Sequence, residues 1–308
     1  SENSIQESIA QIYIQILYAA ESVKVNENTL QVSIAQRDRG QELLNAGSIA
    51  KSDLAQLEAQ VSTDRYQLVT AQATLQDYKL QLKQLLELDG ENEMNVYLPA
   101  LSDENVLLPL PTKKDVYMSA LTLRPEIEAS KLSVEASELG IDIAKAGYLP
   151  TISLSAGIGT NHTSGSDFTF GEQVKNGWNN SIGVSVSVPI FNNRQTKSAV
   201  QKAKLQRETS LLSLLDEQKT LYKTIEGLWL DANSAQQRYA AANEKLKSTQ
   251  ISYDLISEQF NLGMKNTVEL LTEKNNLLQA QQEQLQAKYM AILNTQLLKF
   301  YQGDKLAL

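Results

Sequence analysis

The sequence predicts a mainly α chain of long antiparallel coiled-coil hairpins, interrupted once by a β-hairpin. Three observations carry this. Apolar residues follow a heptad over most of the length, a tandem repeat returns the same heptad phase, and two segments, YLPTISLSAGIGT from Tyr148 and SIGVSVSVPIF from Ser181, alternate strictly. Ala, Leu and Gln dominate the 308 residues, with only 14 Gly and 6 Pro, as in long helices rather than a compact mixed domain.

Residues 1–88 read as a first helical hairpin. Its seam runs through Ile5, Ile9, Ile12, Ile16, Ala19, Val23 and Leu30, turns near Gly47, and resumes at Leu54, Leu57, Val61, Leu68, Ala71, Leu75, Tyr78, Leu82 and Leu85. Three- and four-residue steps of this kind make coiled-coil contacts, and the small seam residues permit close helix approach. Residues 89–124 form a connector: Pro99, Pro109 and Pro111 lie in it and Pro125 ends it, four of the six prolines. Proline cannot continue a helix and biases its predecessor toward extended backbone. A short helix is expected near Lys113–Thr122, and a longer one over 125–147 with Pro125 in its first turn.

Residues 148–191 carry the alternation. Ile152, Leu154, Ala156 and Ile158 alternate with Thr151, Ser153, Ser155 and Gly157; Ile182, Val184, Val186 and Val188 alternate with Ser181, Gly183, Ser185 and Ser187. Period two sends one set to each face. The second face is small and uncharged, and each strand is about ten residues long, as in membrane-spanning β-strands with a polar lumen. Tyr148 and Phe191 would flank one end, and Phe168, Phe170 and Trp178 the other, like aromatic girdles around a loop at 161–180. A soluble hairpin of a β-sandwich is the alternative. Two strands alone are not stable, so either reading needs further strands, which other protomers could supply.

Residues 192–302 read as a second helical hairpin, with a seam at Leu211, Leu214, Leu221, Ile225, Leu228, Ala232, Ala235, Tyr239, Ala242 and Leu246, broken only at Gln218. A helix from Thr196 to Asn261 would be roughly 100 Å long. This half repeats the first. A shift of 216 positions lays NAGSIAKSDL (Asn45 to Leu54) on NLGMKNTVEL (Asn261 to Leu270) and pairs Ile9 with Ile225, Leu30 with Leu246 and Leu82 with Leu298.

Several function classes fall away. A net charge of −8 without a basic run argues against nucleic acid. With no cysteine and a single histidine, His162, there is no thiol nucleophile, metal set or acid–base pair, and no Gly-rich phosphate loop occurs. Neither an enzyme nor a cofactor is expected. No apolar run reaches the roughly 18 residues of a spanning helix.

Taken together, RPEI (Arg124 to Ile127) opening a helix, A-G-YLPTISLSAG entering a strand, VPIFN (Val188 to Asn192) leaving the next, and the repeated G…D/EL tips at Gly47 and Gly263 resemble the TolC family of trimeric outer-membrane efflux channels. Asn193 stands where that family often has Gly. The resemblance covers nearly the whole chain. It implies a homotrimer whose β-hairpins share one barrel in the outer membrane of a Gram-negative bacterium, continued by an α-helical barrel across the periplasm. Its partners would be a periplasmic adaptor (membrane fusion protein), an inner-membrane pump and outer-membrane lipid. The implied task is passive conduction in tripartite efflux or type I secretion. Each repeat should bring one β-hairpin, whereas this chain holds one. By repeat logic the chain is therefore N-terminally incomplete by roughly 90 residues.

The resemblance also assigns roles. Asn45, Gly47, Asn261 and Gly263 mark adaptor-docking tips. Phe260 falls at the place of a gate tyrosine, Lys265 at that of a basic residue, and Asp53 and Glu269 at acidic places; a further acidic place holds Thr272. Lys265 would pair with Asp53 across adjacent hairpins, and Glu269 would form an acidic ring at the mouth. Ile152, Leu154, Ile158, Val184 and Val186 would face lipid. Read without the resemblance, the same residues are helix-end glycines with positive φ and first-turn acids that complement the helix dipole. A periplasmic coiled-coil adaptor or scaffold is the rival reading. It accounts for the helices but not for the uncharged alternating hairpin.

Overall fold

The computed structural model describes residues 2–88, 96–99 and 106–306, so 89–95 and 100–105 of the expected connector lie outside the described residues. The elements are α1 (Glu2–Asn45), α2 (Lys51–Leu85), α3 (Lys113–Leu123), α4 (Pro125–Ala146), β1 (Thr151–Gly159), α5 (Phe170–Asn176), β2 (Asn179–Ser187), α6 (Gln195–Asn261) and α7 (Thr267–Gln302). They form two compact units, Ser1–Leu123 with Leu221–Leu308, and Arg124–Thr220. The division cuts within α6 rather than at the repeat boundary.

In the first unit part of the expected heptad seam is buried, whereas Ile5 is 50% exposed and Ala10, Ile14 and Leu17, outside that seam, are buried as well. Ile16, Ala19, Leu30, Leu54, Leu57, Val61 and Leu82 are buried on α1 and α2, and Leu221, Ile225, Ala232, Ala235 and Tyr239 on α6. One apolar cluster joins Ala10, Ile14 and Leu17 of α1 to Leu285, Tyr289, Leu293 and Leu297 of α7. A second, beside the two helical turns, collects Leu43, Leu57, Phe260 and Leu270 from α1, α2, α6 and α7.

The connector is clamped onto α6. The Trp229 indole N–H donates to Pro111 O at 3.0 Å, and Gln236 Nε2 donates to the carbonyls of Val106 and Leu108 at 3.0 and 2.8 Å. Val106 is buried with Ala235, Tyr239 and Ala291. Lys113 lies 4.9 Å from the Trp229 ring centroid and donates to Glu226 at 2.9 Å. Prolines free this segment from helix, and its carbonyls are then satisfied by side chains of the neighbouring helix.

In the second unit α4 starts at Pro125 and ends at Gly147, whose carbonyl accepts from Thr196 Oγ1 at 3.3 Å. Arg207 of α6 donates to Glu138 of α4 at 2.9 Å. The two strands pair antiparallel, with Ile152 opposite Val186, Leu154 opposite Val184, Ala156 opposite Ile182 and Ser153 opposite Ser185. This register gathers the apolar side chains on one face, with Asn180 opposite Ile158 at its end, and Ser, Gly, Thr151 and Asn179 on the other. After β2 the chain turns at Asn193 and Arg194, with φ of 50° and 63°. Asparagine tolerates that left-handed backbone better than most residues, which explains how it can stand in a place that otherwise suits glycine.

Two details differ from expectation. Val188 lies beyond β2, which ends at Ser187, and the loop at 161–180 is not irregular throughout. It contains α5, capped by Thr169 Oγ1 accepting from Glu172 N–H, while Glu172 accepts from Thr169 N–H at 2.9 Å. Seven residues are too few for a periodic signal, so only the Thr-x-x-Glu box announced this helix.

The cluster of Leu43, Leu57, Phe260 and Leu270 predicts a contrast. Leu57→Ala, at 1% exposure, should lower unfolding stability by about 2–5 kcal/mol, whereas Leu262→Ala, at 69%, should leave it nearly unchanged. Urea unfolding followed by circular dichroism measures both.

Candidate functional site

The two helical turns have the same backbone geometry, as the 216-residue repeat requires. At the first, Gly47 has φ 74° and its N–H donates to Leu44 O at 2.9 Å, while Ser48 N–H donates to Leu43 O at 2.8 Å. At the second, Gly263 has φ 76°, its N–H donates to Phe260 O at 2.9 Å, and Met264 N–H donates to Gln259 O at 2.8 Å. These are the two closing bonds of a left-handed helix C-terminus, which satisfy carbonyls that the helix leaves free.

Three residues later each tip begins a helix with an acid in its first turn. Asp53 accepts from Ala50 N–H at 3.0 Å. Glu269 accepts from Asn266 N–H at 3.2 Å, and Asn266 Oδ1 accepts from Glu269 N–H at 2.9 Å, closing a reciprocal capping box. Lys265 Nζ donates to the other oxygen of Glu269 at 2.5 Å. That bond first, and the Asn266 N–H second, hold the Glu269 carboxyl below the usual carboxylate range.

Within the chain Lys265 therefore meets Glu269 of its own tip, not Asp53, which is engaged as a cap. Phe260 is 3% exposed in the apolar cluster, so it serves as a packing residue where the resemblance placed a gate tyrosine. Thr272 is exposed and returns its hydroxyl to Val268 O at 2.7 Å. Asn45 Oδ1 accepts from Gln41 at 3.0 Å, and the Asn261 carbonyl accepts from Arg39 at 3.4 Å. Leu262, Met264 and Val268 are exposed, so the second tip presents apolar side chains around its ion pair.

The strand residues Ile152, Leu154, Ile158, Val184 and Val186 are 62–75% exposed, and every residue of both strands is exposed. Both outer edges of the sheet are unpaired among the described residues. An apolar sheet face of this kind needs a cover other than water.

Sequence reasoning passed over one group of residues. Asp64 of α2, Ser33 of α1 and Lys274 of α7 are buried at 2–3% exposure and bonded to one another. The signal was present as an unexplained gap: Asp64 occupies the heptad position between Val61 and Leu68.

The family model for "Outer membrane efflux protein" matches residues 116–303. Outer membrane efflux protein BepC of Brucella suis biovar 1 is 25% identical over 294 residues, covering 95% of this chain and 61% of that protein. Outer membrane protein TolC of Escherichia coli K12 is 26% identical over 300 residues, covering 92% of this chain and 58% of that protein. The chain thus spans about three fifths of the length of these relatives. Among solved structures, CusC superposes with a TM-score of 0.81 at 19% identity, covering 98% of this chain and 69% of that one, which establishes a common fold.

The unequal caps predict opposite responses. Asn266→Ala should cost about 1 kcal/mol of local stability in the first turn of α7, and Ala50→Asn should add a similar amount to α2. Amide hydrogen exchange of those turns measures both. Because its folded pKa is depressed, the contribution of Glu269 is fully present above its unfolded pKa and is lost as pH falls through the folded value. Glu269→Gln should therefore speed exchange in this turn at neutral pH and cease to matter at acid pH.

Proposed function

The chain belongs to the outer membrane efflux protein family, and on that premise we propose that it forms a homotrimeric channel spanning the outer membrane of a Gram-negative bacterium. Its helical hairpins line a periplasmic tunnel, and its β-hairpin joins a barrel shared with the other protomers. Substrates pass through without chemistry, delivered by a periplasmic adaptor and an inner-membrane pump of a tripartite efflux or type I secretion system.

One observation carries this reading. The hairpin exposes a continuous apolar face, with Ile152, Leu154 and Val184 at 72, 75 and 67%, opposite a face of Ser and Gly. A lipid-facing band and an uncharged lumen wall have these chemistries. A coiled-coil adaptor would have no use for such a sheet, and water would penalise it. The duplicated tips are the proposed mouth, where adaptor contact opens the tunnel. In this reading Lys265 exchanges Glu269 for Asp53 of an adjacent helical hairpin. Both its present bond and the proposed one are partly exposed, so each is weak alone and acts through threefold repetition. Glu269 supplies the acidic field at the mouth, and Lys265 offsets it.

Two experiments on the complete protein test the reading. Leu154→Lys or Val184→Lys should destabilise the barrel by about 2–4 kcal/mol, and Ser153→Lys or Ser185→Lys far less. Equal tolerance on both faces, or release of the protein by carbonate without detergent, would sink the membrane assignment. In planar bilayers, Asp53→Ala and Lys265→Ala should raise single-channel conductance, while Glu269→Ala should chiefly reduce cation preference. Unchanged conductance in the Asp53/Lys265 double variant would leave these residues as helix caps only.

A further inference from the structure

Above the tip cluster, the seam between the first hairpin and α7 turns polar at one level. Ser33 Oγ donates to Asp64 Oδ2, and Lys274 Nζ donates to both Ser33 Oγ and Asp64 Oδ2. Gln60 Nε2 completes the set, donating to Asp64 Oδ1 at 2.9 Å. All three core members sit on seam positions. Ser33 follows Leu30, Asp64 follows Val61, and Lys274 lies between Leu270 and Leu277, all of them buried. The layer joins both repeats, with partners 210 and 241 residues apart.

We propose that this layer is a register pin. It holds α7, and with it the second helical hairpin, at a single axial position against α1 and α2, and so fixes the resting geometry of the mouth. The inference rests on the reading of the tips as that mouth.

Leucine layers are interchangeable. Were α7 to slip by one turn, about 5.4 Å, Leu270, Leu277 and Leu278 would find new apolar partners. The ionic layer has no such freedom. The same slip would set Asp64 against leucine and drive the Lys274 ammonium into apolar side chains, leaving two buried charges without partners. A buried ion pair adds little net stability compared with apolar residues of similar size, so register is a better account of it than strength. Burial already pulls the Lys274 ammonium below its usual range, against the opposing pull of Asp64. The device is also not a by-product of the duplication. The repeat counterparts of Ser33, Asp64 and Lys274 are Thr249, Ala280 and Glu58. Of these, Ala280 is buried, Glu58 is exposed, and Thr249 bonds its own helix at Lys245 O.

The test replaces the charges without leaving a hole. In the complete protein, spin labels go onto Thr63→Cys of α2 and Asn276→Cys of α7, both exposed; these 308 residues hold no cysteine, and any cysteine outside them is first replaced by serine. Labelled protein is diluted with unlabelled protein so that distances within one chain dominate. The native layer should give one narrow distance distribution. Asp64→Leu with Lys274→Met should keep the thermal midpoint at or above that of the parent, yet shift or split the distribution by about one helical turn, 5 Å. Its channels should show several conductance levels in place of one. Lys274→Met alone should lower the midpoint, because it strands Asp64.

A single narrow distribution at the parent distance in the double variant would overturn the pin. Failure of that variant to assemble would overturn it too, since the layer would then serve strength. Split distances with one unchanged conductance level would sever the pin from the mouth. A parent protein that passes no current would refute the channel reading, while the distances would still decide the pin.

Discussion

A two-stranded sheet whose every residue is exposed sets the terms for this chain. Each outer edge carries backbone N–H and C=O groups without partners among the described residues, and in hydrocarbon each such group costs several kcal/mol. Only neighbouring strands can remove that cost, and only lipid or protein can cover the apolar face. Folding of the hairpin is therefore inseparable from assembly in the proposed channel. The register makes this possible. Leu154 against Val184 and Ser153 against Ser185 keep the faces distinct over most of their length, so that closing the sheet puts one chemistry outside and the other inside; Asn180, opposite Ile158, is the exception at one end.

Helices carry the opposite logic. Their backbone is satisfied internally, and seam residues such as Leu57, Ile225 and Leu285 need only be buried. Such a seam is strong in sum but poor at specifying position, because many registers bury similar area. The polar members restore specificity. Lys274, Asp64 and Ser33 tie α7 to the first hairpin, Gln36 Nε2 donates to Tyr253 at 2.8 Å to tie α1 to α6, and Trp229 and Gln236 fix the connector on α6. Apolar area supplies cohesion, and these hydrogen bonds choose one arrangement from among several that cohesion would accept.

What the sequence revealed, and what it hid, divides along the same line. Heptads, alternation and helix-end glycines are local rules, and they placed Leu54 to Val61, Ile152 to Ile158, Gly47 and Gly263 correctly. The ionic layer was not legible as a layer, because no local period links Asp64 to a lysine 210 residues away. The burial of Phe260 was hidden for a related reason: it follows from partners on three other helices, Leu43, Leu57 and Leu270. The partner of Lys265 was a question of distance: Glu269 is one turn away on the same tip, and Asp53 lies in the other repeat.

The comparison of the tips shows how duplication has been used. Gly47 and Gly263 keep the same φ within 2°, from 74° and 76°, and the same pair of closing bonds, because left-handed backbone leaves little choice of residue. Side chains around that frame were free to diverge. Where the first tip has Leu44, the second has Phe260 in the core; where it has Ala50, which offers no cap, the second has Asn266, which closes a box; and where it has Ile49, the second has Lys265, paired with the helix-capping acid. The helix start of the second tip is thus better capped, by a reciprocal box and a lysine on its acid, while the helix start of the first has one carboxylate–backbone cap.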